Sequence, residues 1–319
     1  MSCLAANSTV IAGLDPAIQS FREKMDGRIK SGHDAEQSGE GMSDSIRAAC
    51  VVGWPVRHSR SPLIHGHWIK QYNLDAAYRC EEIAPETFAD FITHLSERGY
   101  VGANITIPHK EAALAMSEPD DRARAVGASN TLWYDSGHLY STNTDVEGFT
   151  ANLDAAVPGW DKRAGDAVVL GAGGSARGVI YGLIERGIGK IHVVNRTPER
   201  AAVLQARFGQ AVQPANEAAL PRLLTRAGLL VNTTSLGMTG QPPLVIDIGP
   251  LQRHAVVADL VYAPLETPVL AAARARGLAT ADGLGMLLHQ AVRGFQLWFG
   301  VRPEVTPELR ALVETDLAK

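Results

Sequence analysis

The 319-residue chain is 45% hydrophobic and 20% charged, with a net charge of −4. This is the composition of a globular protein of about two domains, and it gives no indication of nucleic-acid or anionic-membrane binding. The three cysteines, Cys3, Cys50 and Cys80, are too irregularly spaced for a disulfide framework or a zinc site, which favours a reducing cytoplasm. Because every apolar run is too short to cross a bilayer, we predict no membrane span.

Residues 1–41 differ from the rest of the chain, because their hydrophobic periodicity is weak and they end in a polar stretch that contains glycine and serine. Asp15 and Pro16 break the apolar run, which argues against a secretory signal. Residues 11–34 resemble translated intergenic repeat sequence of bacterial genomes. We therefore expect the folded protein to begin at Met42, and a disordered tail is the alternative.

From about residue 45 to 147, short apolar segments alternate with helical ones, which predicts an α/β domain. The predicted elements are strand 50–55, helix 61–72, strand 76–83, helix 85–99, strand 100–107, a helix near 110–118 and a hairpin of 128–134 with 138–144. Ser61 precedes Pro62, an order typical of an N-cap followed by a proline in the first helical turn.

From about residue 148 to 282, strands and helices alternate regularly. The predicted elements are helix 146–157, strand 167–172, a helix from Ser175, strand 191–195, helix 198–209, strand 211–214, a helix near 216–226, strands 228–234 and 254–262, helix 267–277 and strand 278–282. This βαβ pattern predicts a parallel, doubly wound sheet. Residues 283–319 are predicted to form a C-terminal helical segment, because apolar residues recur there at helical spacing.

A glycine-rich turn follows the apolar run "AVVL" and opens a helical stretch, which is the context of a dinucleotide-binding motif. The turn comprises Gly171, Ala172, Gly173, Gly174, Ser175 and Ala176. Gly171 would permit the tight turn, and Gly173 would let the backbone approach a pyrophosphate. The free N–H groups of the helix would then face the phosphates. A glycine-rich turn without a ligand is the alternative.

The end of the next strand indicates the cofactor. An NAD site would carry an acidic residue there, whereas this chain has Asn195 and Arg196. Arg196 suits a 2′-phosphate, and Arg200 could add a second cation on the same helix face. Thr197 is predicted to cap this helix, with Pro198 at its first position. We therefore predict NADP as the cofactor, the alternative being two solvated arginines.

Three short motifs in the first half carry polar side chains, "HSRSP" at 58–62, "NITIPHK" at 104–110 and "NTD" at 143–145. Taken singly, each has a structural explanation, as a helix cap, a surface lysine or a turn residue. Ser59 and Ser61, however, flank a predicted helix N-terminus, which can also bind a carboxylate.

Together and in order, these motifs resemble the shikimate dehydrogenase family. The matching segments are His58–Pro62, Asn104–Lys110, Gly127–Thr131, Asn143–Asp145, Gly171–Gly174, Asn195–Thr197, Asn232–Met238, Asp259–Pro268 and Asp282–Gln290. They extend over about residues 50–300. Ser129 departs from the pattern, since the family usually has valine there.

The resemblance implies an NADPH-dependent, reversible reduction of 3-dehydroshikimate to shikimate. The site would lie in a cleft between an N-terminal α/β substrate domain (45–147) and a Rossmann-type NADP domain (148–282). Residues 283–319 would pack back on the substrate domain. Lys110 and Asp145 would form the catalytic pair.

The same resemblance implies the binding residues. Those for substrate are Ser59, Ser61, Thr106, Asn130, Asp145, Tyr262 and Gln290, with both serines and Tyr262 near the substrate carboxylate. Those for cofactor are Gly171, Ala172, Gly173, Gly174, Ser175, Asn195, Arg196, Thr197, Arg200, Thr233, Leu260 and Gly283. Asp121 matches an acidic position that is sometimes assigned to the cofactor.

Two alternatives stay open, an NAD-dependent quinate/shikimate dehydrogenase paralogue and a non-catalytic NADP-binding protein of the same fold. Glu199 tempers the preference for NADP that Thr197 and Pro198 indicate, while the presence of Lys110 and Asp145 argues for catalysis. No metal is expected, because the histidines lack acidic or cysteine partners at metal-ligand spacing. The protein is expected to be a monomer or a homodimer.

Overall fold

In a computed structural model, the structure is described for residues 46–319. The extension 1–41 and the proposed start at Met42 lie outside the described residues. The described part forms two six-stranded sheets. None of its helices combines the length and apolar character that crossing a membrane requires.

The first sheet has the strand order β2-β1-β3-β5-β6-β4. Its strands are β1 (Arg47–Gly53), β2 (Ala76–Glu82), β3 (Tyr100–Ile105), β4 (Glu118–Pro119), β5 (Thr131–Asp135) and β6 (His138–Thr142). β1 runs parallel to β2 and β3, whereas β5 and β6 form an antiparallel hairpin. Ser136 and Gly137 turn the hairpin with positive φ angles of 51° and 83°, as a tight two-residue turn requires.

Four helices accompany the first sheet, α1 (Ser61–Gln71), α2 (Pro85–Thr93), α3 (Lys110–Ala115) and α4 (Asp121–Val126). α2 ends at Thr93, well before the predicted end at residue 99. α4 was not predicted, because six residues are too few to show helical periodicity. Two further helices, α5 (Asp145–Ala156) and α6 (Trp160–Arg163), lead to the second sheet. α5 is continuous through residue 147, so the chain passes between the sheets within one helix.

The second sheet has the order β12-β11-β10-β7-β8-β9 and is parallel at every pairing. Its strands are β7 (Asp166–Leu170), β8 (Ile191–Val194), β9 (Val212–Ala215), β10 (Ala227–Asn232), β11 (Val256–Asp259) and β12 (Ala279–Ala281). Every residue of β10 and β11 is buried, because helices cover both faces of the sheet. The sheet confirms the predicted doubly wound fold.

The helices of this sheet are α7 (Gly174–Glu185), α8 (Pro198–Phe208), α9 (Leu220–Leu224) and α10 (Pro268–Ala275). The predicted helix near 216–226 is instead a 3₁₀ turn, Glu217–Ala219, followed by the short α9. Pro221 occupies the first turn of α9, where its fixed φ and missing N–H are tolerated.

The C-terminal helices α11 (Gly283–Phe299) and α12 (Pro307–Leu317) pack against the first sheet. Trp298 is fully buried, and its Nε1 donates a 2.8 Å hydrogen bond to the Leu132 carbonyl on β5. A Cβ atom at Gly102 on β3 would lie 2.2 Å from Trp298 Nε1, so the indole requires glycine there. The C-terminal helices, which follow the last strand of the second sheet, therefore pack back on the first sheet.

Candidate active site

Lys110 and Asp145 meet although they lie on different helices, each as the first helical residue, of α3 and α5 respectively. Lys110 Nζ donates a 2.5 Å hydrogen bond to Asp145 Oδ2. The Asp145 N–H donates to Asn143 Oδ1 at 3.1 Å, and the N-terminal end of the helix dipole favours its carboxylate. The lysine side chain is still 24% exposed, so its ammonium is accessible to a bound molecule.

Asn130 links this pair to the C-terminal helix. Its Nδ2 donates to Asp145 Oδ1 at 2.9 Å and to Gln290 Oε1 at 3.2 Å. Its Oδ1 accepts the Thr144 N–H at 2.7 Å, so the amide is held at both ends. A Cβ atom at Gly148 would lie 2.6 Å from Gln290 Cβ. Glycine at that position of α5 therefore allows α11 to bring Gln290 close to the pair.

The serine loop, residues 58–62, lies at the start of α1. The prediction that Ser61 caps this helix is wrong, because α1 begins at Ser61 and Arg60 occupies the N-cap position without a side-chain cap. Instead, the Ser61 N–H donates to Ser59 Oγ at 3.2 Å. Arg60 Nε lies 2.7 Å from Asp316 Oδ2, an ion pair that joins the loop to α12.

Tyr262 and Thr106 complete the predicted substrate residues. Burial raises the pKa of Tyr262, and the positive charge of Arg60 acts in the opposite direction. The Thr106 N–H donates to the Val52 carbonyl at 2.9 Å. A Cβ atom at Gly53 would lie 2.4 Å from Thr106 Cγ2, so the threonine depends on glycine in the neighbouring strand.

The glycine turn joins β7 to α7 in the predicted way. Gly171 has a φ of 99°, which a side chain would strain. Gly173 is the N-cap residue of α7 and supplies no side-chain hydrogen bond. Cβ atoms built on Gly173 and Gly174 would meet nothing within 4 Å. Ala172 is half-buried and Ser175 is exposed. The first N–H groups of α7 therefore face open space, where phosphate can approach.

The predicted cofactor residues follow the carboxyl ends of neighbouring parallel strands. Thr233 Oγ1 donates to the Leu170 carbonyl at 2.7 Å and packs against Gly171. A Cβ atom at Gly283 would lie 2.2 Å from the Leu260 carbonyl oxygen, so these two segments also touch. Because ligands of open α/β sheets bind at the carboxyl edge, one elongated surface is available to a dinucleotide.

Asn195, Arg196 and Arg200 follow β8. Asn195 Nδ2 donates to the Thr197 carbonyl at 2.7 Å, closing the turn. Thr197 is the N-cap residue, but its side chain makes no capping hydrogen bond, so the predicted hydroxyl cap is wrong. Arg196 and Arg200 are exposed, and in the described range 46–319 neither forms an ion pair or a side-chain hydrogen bond. Both guanidinium groups can therefore reach a phosphate.

Asp121 stands apart from these residues. It is exposed at the first position of α4, and the capping side chain there is Asp120, which accepts the Ala123 N–H at 2.8 Å. Its assignment to the cofactor site stays a prediction without geometric support in the described structure.

Several polar side chains that shape the site were not predicted to have a role there. Asn232 Nδ2 donates to Asp259 Oδ1 at 2.9 Å, and Asp259 Oδ2 accepts the Thr267 hydroxyl at 2.7 Å. These bonds fix the loops that carry Thr233, Leu260 and Tyr262. The matched motifs contain Asn104, Asn143, Asn232 and Asp259, so the motifs could have indicated that these four residues belong to the site. Tyr78, whose hydroxyl donates to Asn104 Oδ1 at 2.6 Å, lies outside them.

Beside the site, two arginines connect the part of the chain that forms the first sheet to the part that forms the second. Arg177 on α7 donates to Glu111 Oε1 at 2.7 Å, and Arg207 on α8 donates to the Ala125 carbonyl of α4 at 3.1 Å. Within residues 46–319, no group of three histidine, cysteine, aspartate or glutamate side chains is placed to hold a metal ion.

Three family models match the chain. They are described as shikimate dehydrogenase substrate binding domain (residues 51–132), shikimate/quinate 5-dehydrogenase (159–239) and shikimate 5′-dehydrogenase C-terminal domain (283–312). A shikimate dehydrogenase (NADP(+)) of Nitrobacter winogradskyi is 67% identical over 271 residues, which cover 85% of this chain and 97% of that protein.

The chain belongs to the shikimate dehydrogenase family. It is therefore an oxidoreductase. Two solved structures support the same fold. Shikimate 5-dehydrogenase of Thermus thermophilus, in complex with NADP(H) and shikimate, is 34% identical with a TM-score of 0.74, covering 85% of this chain and 98% of that one. Quinate dehydrogenase of Corynebacterium glutamicum, in complex with NAD, is 30% identical with a TM-score of 0.77, covering 84% and 99%.

Proposed function

We propose that the protein is an NADP-dependent shikimate dehydrogenase that reversibly reduces 3-dehydroshikimate to shikimate. The observation that carries the proposal is the Lys110–Asp145 pair, whose carboxylate also accepts a hydrogen bond from Asn130, which in turn donates to Gln290 of α11. The 67% identical relative named shikimate dehydrogenase (NADP(+)) supports the substrate and the cofactor. The reaction would serve chorismate and aromatic amino-acid biosynthesis, and the cytoplasmic location stays a prediction.

The residues present fit NADP. The uncapped N-terminus of α7 offers N–H groups to the pyrophosphate, and the exposed Arg196 and Arg200 suit the 2′-phosphate. When bound, the nicotinamide supplies or accepts the hydride. An acidic side chain after β8 would repel the 2′-phosphate, and Asn195 brings no such charge.

Lys110 is the proton donor of this proposal. As the ring ketone is reduced, negative charge develops on its oxygen, and the Lys110 ammonium both stabilises that charge and delivers a proton from Nζ. In the reverse direction, Nζ takes the proton from the alcohol. Asp145 orients Lys110 through the 2.5 Å hydrogen bond. Asn130 and Gln290 would hold the neighbouring ring hydroxyls, with Thr106 beside them.

The substrate carboxylate is assigned to Ser59, Ser61 and Tyr262. These are neutral hydrogen-bonding groups, and Ser61 is only 6% exposed. A ligand without the carboxylate would leave the buried Ser61 hydroxyl without this partner, which is penalised. Arg60, at the N-cap position of α1, forms an ion pair with Asp316.

Absorbance of the reduced cofactor tests the proposal. The purified full chain is assayed with shikimate and with quinate, each with NADP and with NAD. We expect shikimate with NADP to give the highest kcat/KM of the four pairs. Preference for quinate with NAD would instead favour the quinate dehydrogenase alternative, the activity for which the similar Corynebacterium protein is named. No turnover with any pair would refute the proposal and favour the non-catalytic alternative.

A further inference from the structure

A cavity of about 310 Å³ is lined by residues of α5 and α11, by the residue that follows α7 and by the segment after α11. It shares no residue with those assigned to shikimate or NADP. Its volume is at the lower end of the range of small-molecule sites, about 300–1,000 Å³. Most of the residues that line it are charged or polar, so the cavity suits a charged molecule.

The two carboxylates of this cavity are already paired with cations. Asp154 on α5 forms an ion pair with Arg186 and also accepts the Trp160 indole N–H at 3.0 Å. Glu147 Oε1, on the same helix, accepts from Arg122 Nη1 at 2.6 Å. Neither carboxylate therefore presents an uncompensated negative charge to a molecule in the cavity.

Two further arginines of the cavity have no such partner. Arg293 lies on α11, and Arg302 follows the end of that helix at Phe299. In the part of the chain that the structure describes, neither guanidinium forms an ion pair or a side-chain hydrogen bond. Arg293 is half-buried, and a charge that is partly removed from water without a counter-charge costs free energy. An anion bound between the two arginines would supply that counter-charge.

His289 adds a neutral donor beside them. It precedes Arg293 by one turn of α11, so both side chains lie on the same face of the helix. Burial lowers the pKa of His289, and the negative charge of Asp154 acts in the opposite direction. The imidazole is therefore neutral at pH 7, where it has one N–H to donate.

The number of uncompensated charges indicates the class of anion. A phosphate monoester carries a charge of about −1.5 to −2 at pH 7 and offers three acceptor oxygens. The planar guanidinium of arginine matches such oxygens with paired N–H donors. A carboxylate carries a single negative charge and would compensate only one of the two arginines. The cavity therefore fits a phosphate group better than a carboxylate.

We propose that this cavity is an anion-binding site separate from the cofactor site, in which Arg293 and Arg302 bind a phosphate group and His289 donates to it. The phosphate is either inorganic phosphate or part of a small phosphate ester. Asp145 is the first residue of α5, and Gln290 lies beside His289 on α11. The bound molecule thus contacts both helices that carry residues of the catalytic group.

Calorimetric titration of the full chain in the presence of saturating NADP tests the inference. NADP occupies the cofactor site, so the added anion is measured elsewhere, and NaCl keeps the ionic strength constant. We expect one molecule of glycerol 3-phosphate to bind per chain with a Kd of about 1 mM or tighter. Inorganic phosphate is titrated in parallel. Tighter binding of the ester would assign the site to an organic phosphate, and equal binding would assign it to the free ion.

Arg293→Gln and Arg302→Gln should each weaken this binding at least about ten-fold, because each removes a charge-assisted contact. Arg222→Gln, which changes an exposed arginine outside the cavity, is the matched control and should keep the wild-type Kd. All three variants should bind NADP as wild type does, which shows that they are folded. Absence of binding of both phosphates to wild type, or an unchanged Kd in either cavity variant, would overturn the inference.

Discussion

Asp145 accepts a hydrogen bond on each carboxylate oxygen, from Lys110 at 2.5 Å and from Asn130 at 2.9 Å. Only the first partner is a cation, so the charge of Asp145 serves chiefly to hold the ammonium in place. Replacing the carboxylate by an amide keeps the shape and removes this attraction. Lys110 would then sample positions from which it cannot reach the substrate oxygen.

Asp145→Asn should therefore lower kcat by about ten- to a hundred-fold, with a smaller change in KM for shikimate. Steady-state kinetics with shikimate and NADP measure this. Asp135→Asn, an exposed residue of the hairpin turn, is the control and should behave as wild type. A wild-type kcat in Asp145→Asn would show that the Asp145 carboxylate is not needed for catalysis.

Arg196→Gln addresses the cofactor. If the guanidinium binds the 2′-phosphate, KM for NADP should rise at least about ten-fold, because a charge-assisted contact is lost. KM for NAD should stay within about two-fold, because NAD lacks that phosphate. Arg253→Gln, another exposed arginine, provides the comparison. Equal changes for both cofactors would mean that Arg196 is only a surface charge.

The ordered motifs allowed the catalytic pair and the cofactor turn to be predicted from sequence, because each motif places polar residues at the end of a strand or the start of a helix. Sequence could not show that Asn130 bonds to both Asp145 and Gln290, since that contact depends on how α11 returns to the site. Tyr78 was missed for a related reason. A tyrosine in a strand is also an ordinary β-forming residue, and only packing shows its partners.

At the scale of elements, the period-two and helical patterns located both sheets, while helix ends were less predictable. α1 begins at Ser61, and its N-cap residue Arg60 makes no capping hydrogen bond through its side chain, although Ser61-Pro62 is a typical capping pair. The hydroxyl of Ser59 accepts the Ser61 N–H instead. Because α1 begins one residue earlier than a Ser61 cap would require, the side chain of Ser59 and not that of Ser61 accepts a backbone hydrogen bond. The spacing of the residues alone does not show this shift.

Close packing of α5 on α11 is required for the site, and Gly148→Ala tests it. The new Cβ would lie 2.6 Å from Gln290 Cβ and 2.8 Å from the Met286 carbonyl, so the helices must separate. We expect a loss of about 1–3 kcal/mol in the free energy of unfolding, together with a higher KM for shikimate.

Gly66→Ala is the matched control, because it is also a helical glycine but its Cβ would meet nothing within 4 Å. Its unfolding free energy should be unchanged or should rise by up to about 1 kcal/mol. Urea unfolding of both variants gives the comparison. Equal stability of Gly148→Ala and wild type would contradict the close helix contact.

For the whole molecule, buried His65 predicts how stability depends on pH. Its pKa falls from 6.5 to about 3 on burial, so below pH 6.5 the unfolded chain binds a proton that the folded protein does not. The free energy of unfolding should therefore decrease as the pH falls from about 6.5 towards 3, and should be unaffected by His65 above that range.

His65→Phe keeps an aromatic ring and removes the titrating group. Between pH 7 and pH 5, wild type should lose about 2 kcal/mol more of its unfolding free energy than the variant, at about 1.4 kcal/mol per pH unit. Urea unfolding at the two pH values measures the difference. Parallel losses in both proteins would show that His65 is not the group responsible.

The proposed function depends on Lys110 transferring the proton in an NADP-linked oxidation of shikimate. Its most direct test is kcat of Lys110→Met with shikimate and NADP, measured beside the Kd of shikimate by calorimetry. We predict a fall in kcat of at least about a hundred-fold, with a Kd within about five-fold of wild type. A variant that keeps most of its kcat, or that loses binding as much as turnover, would contradict it.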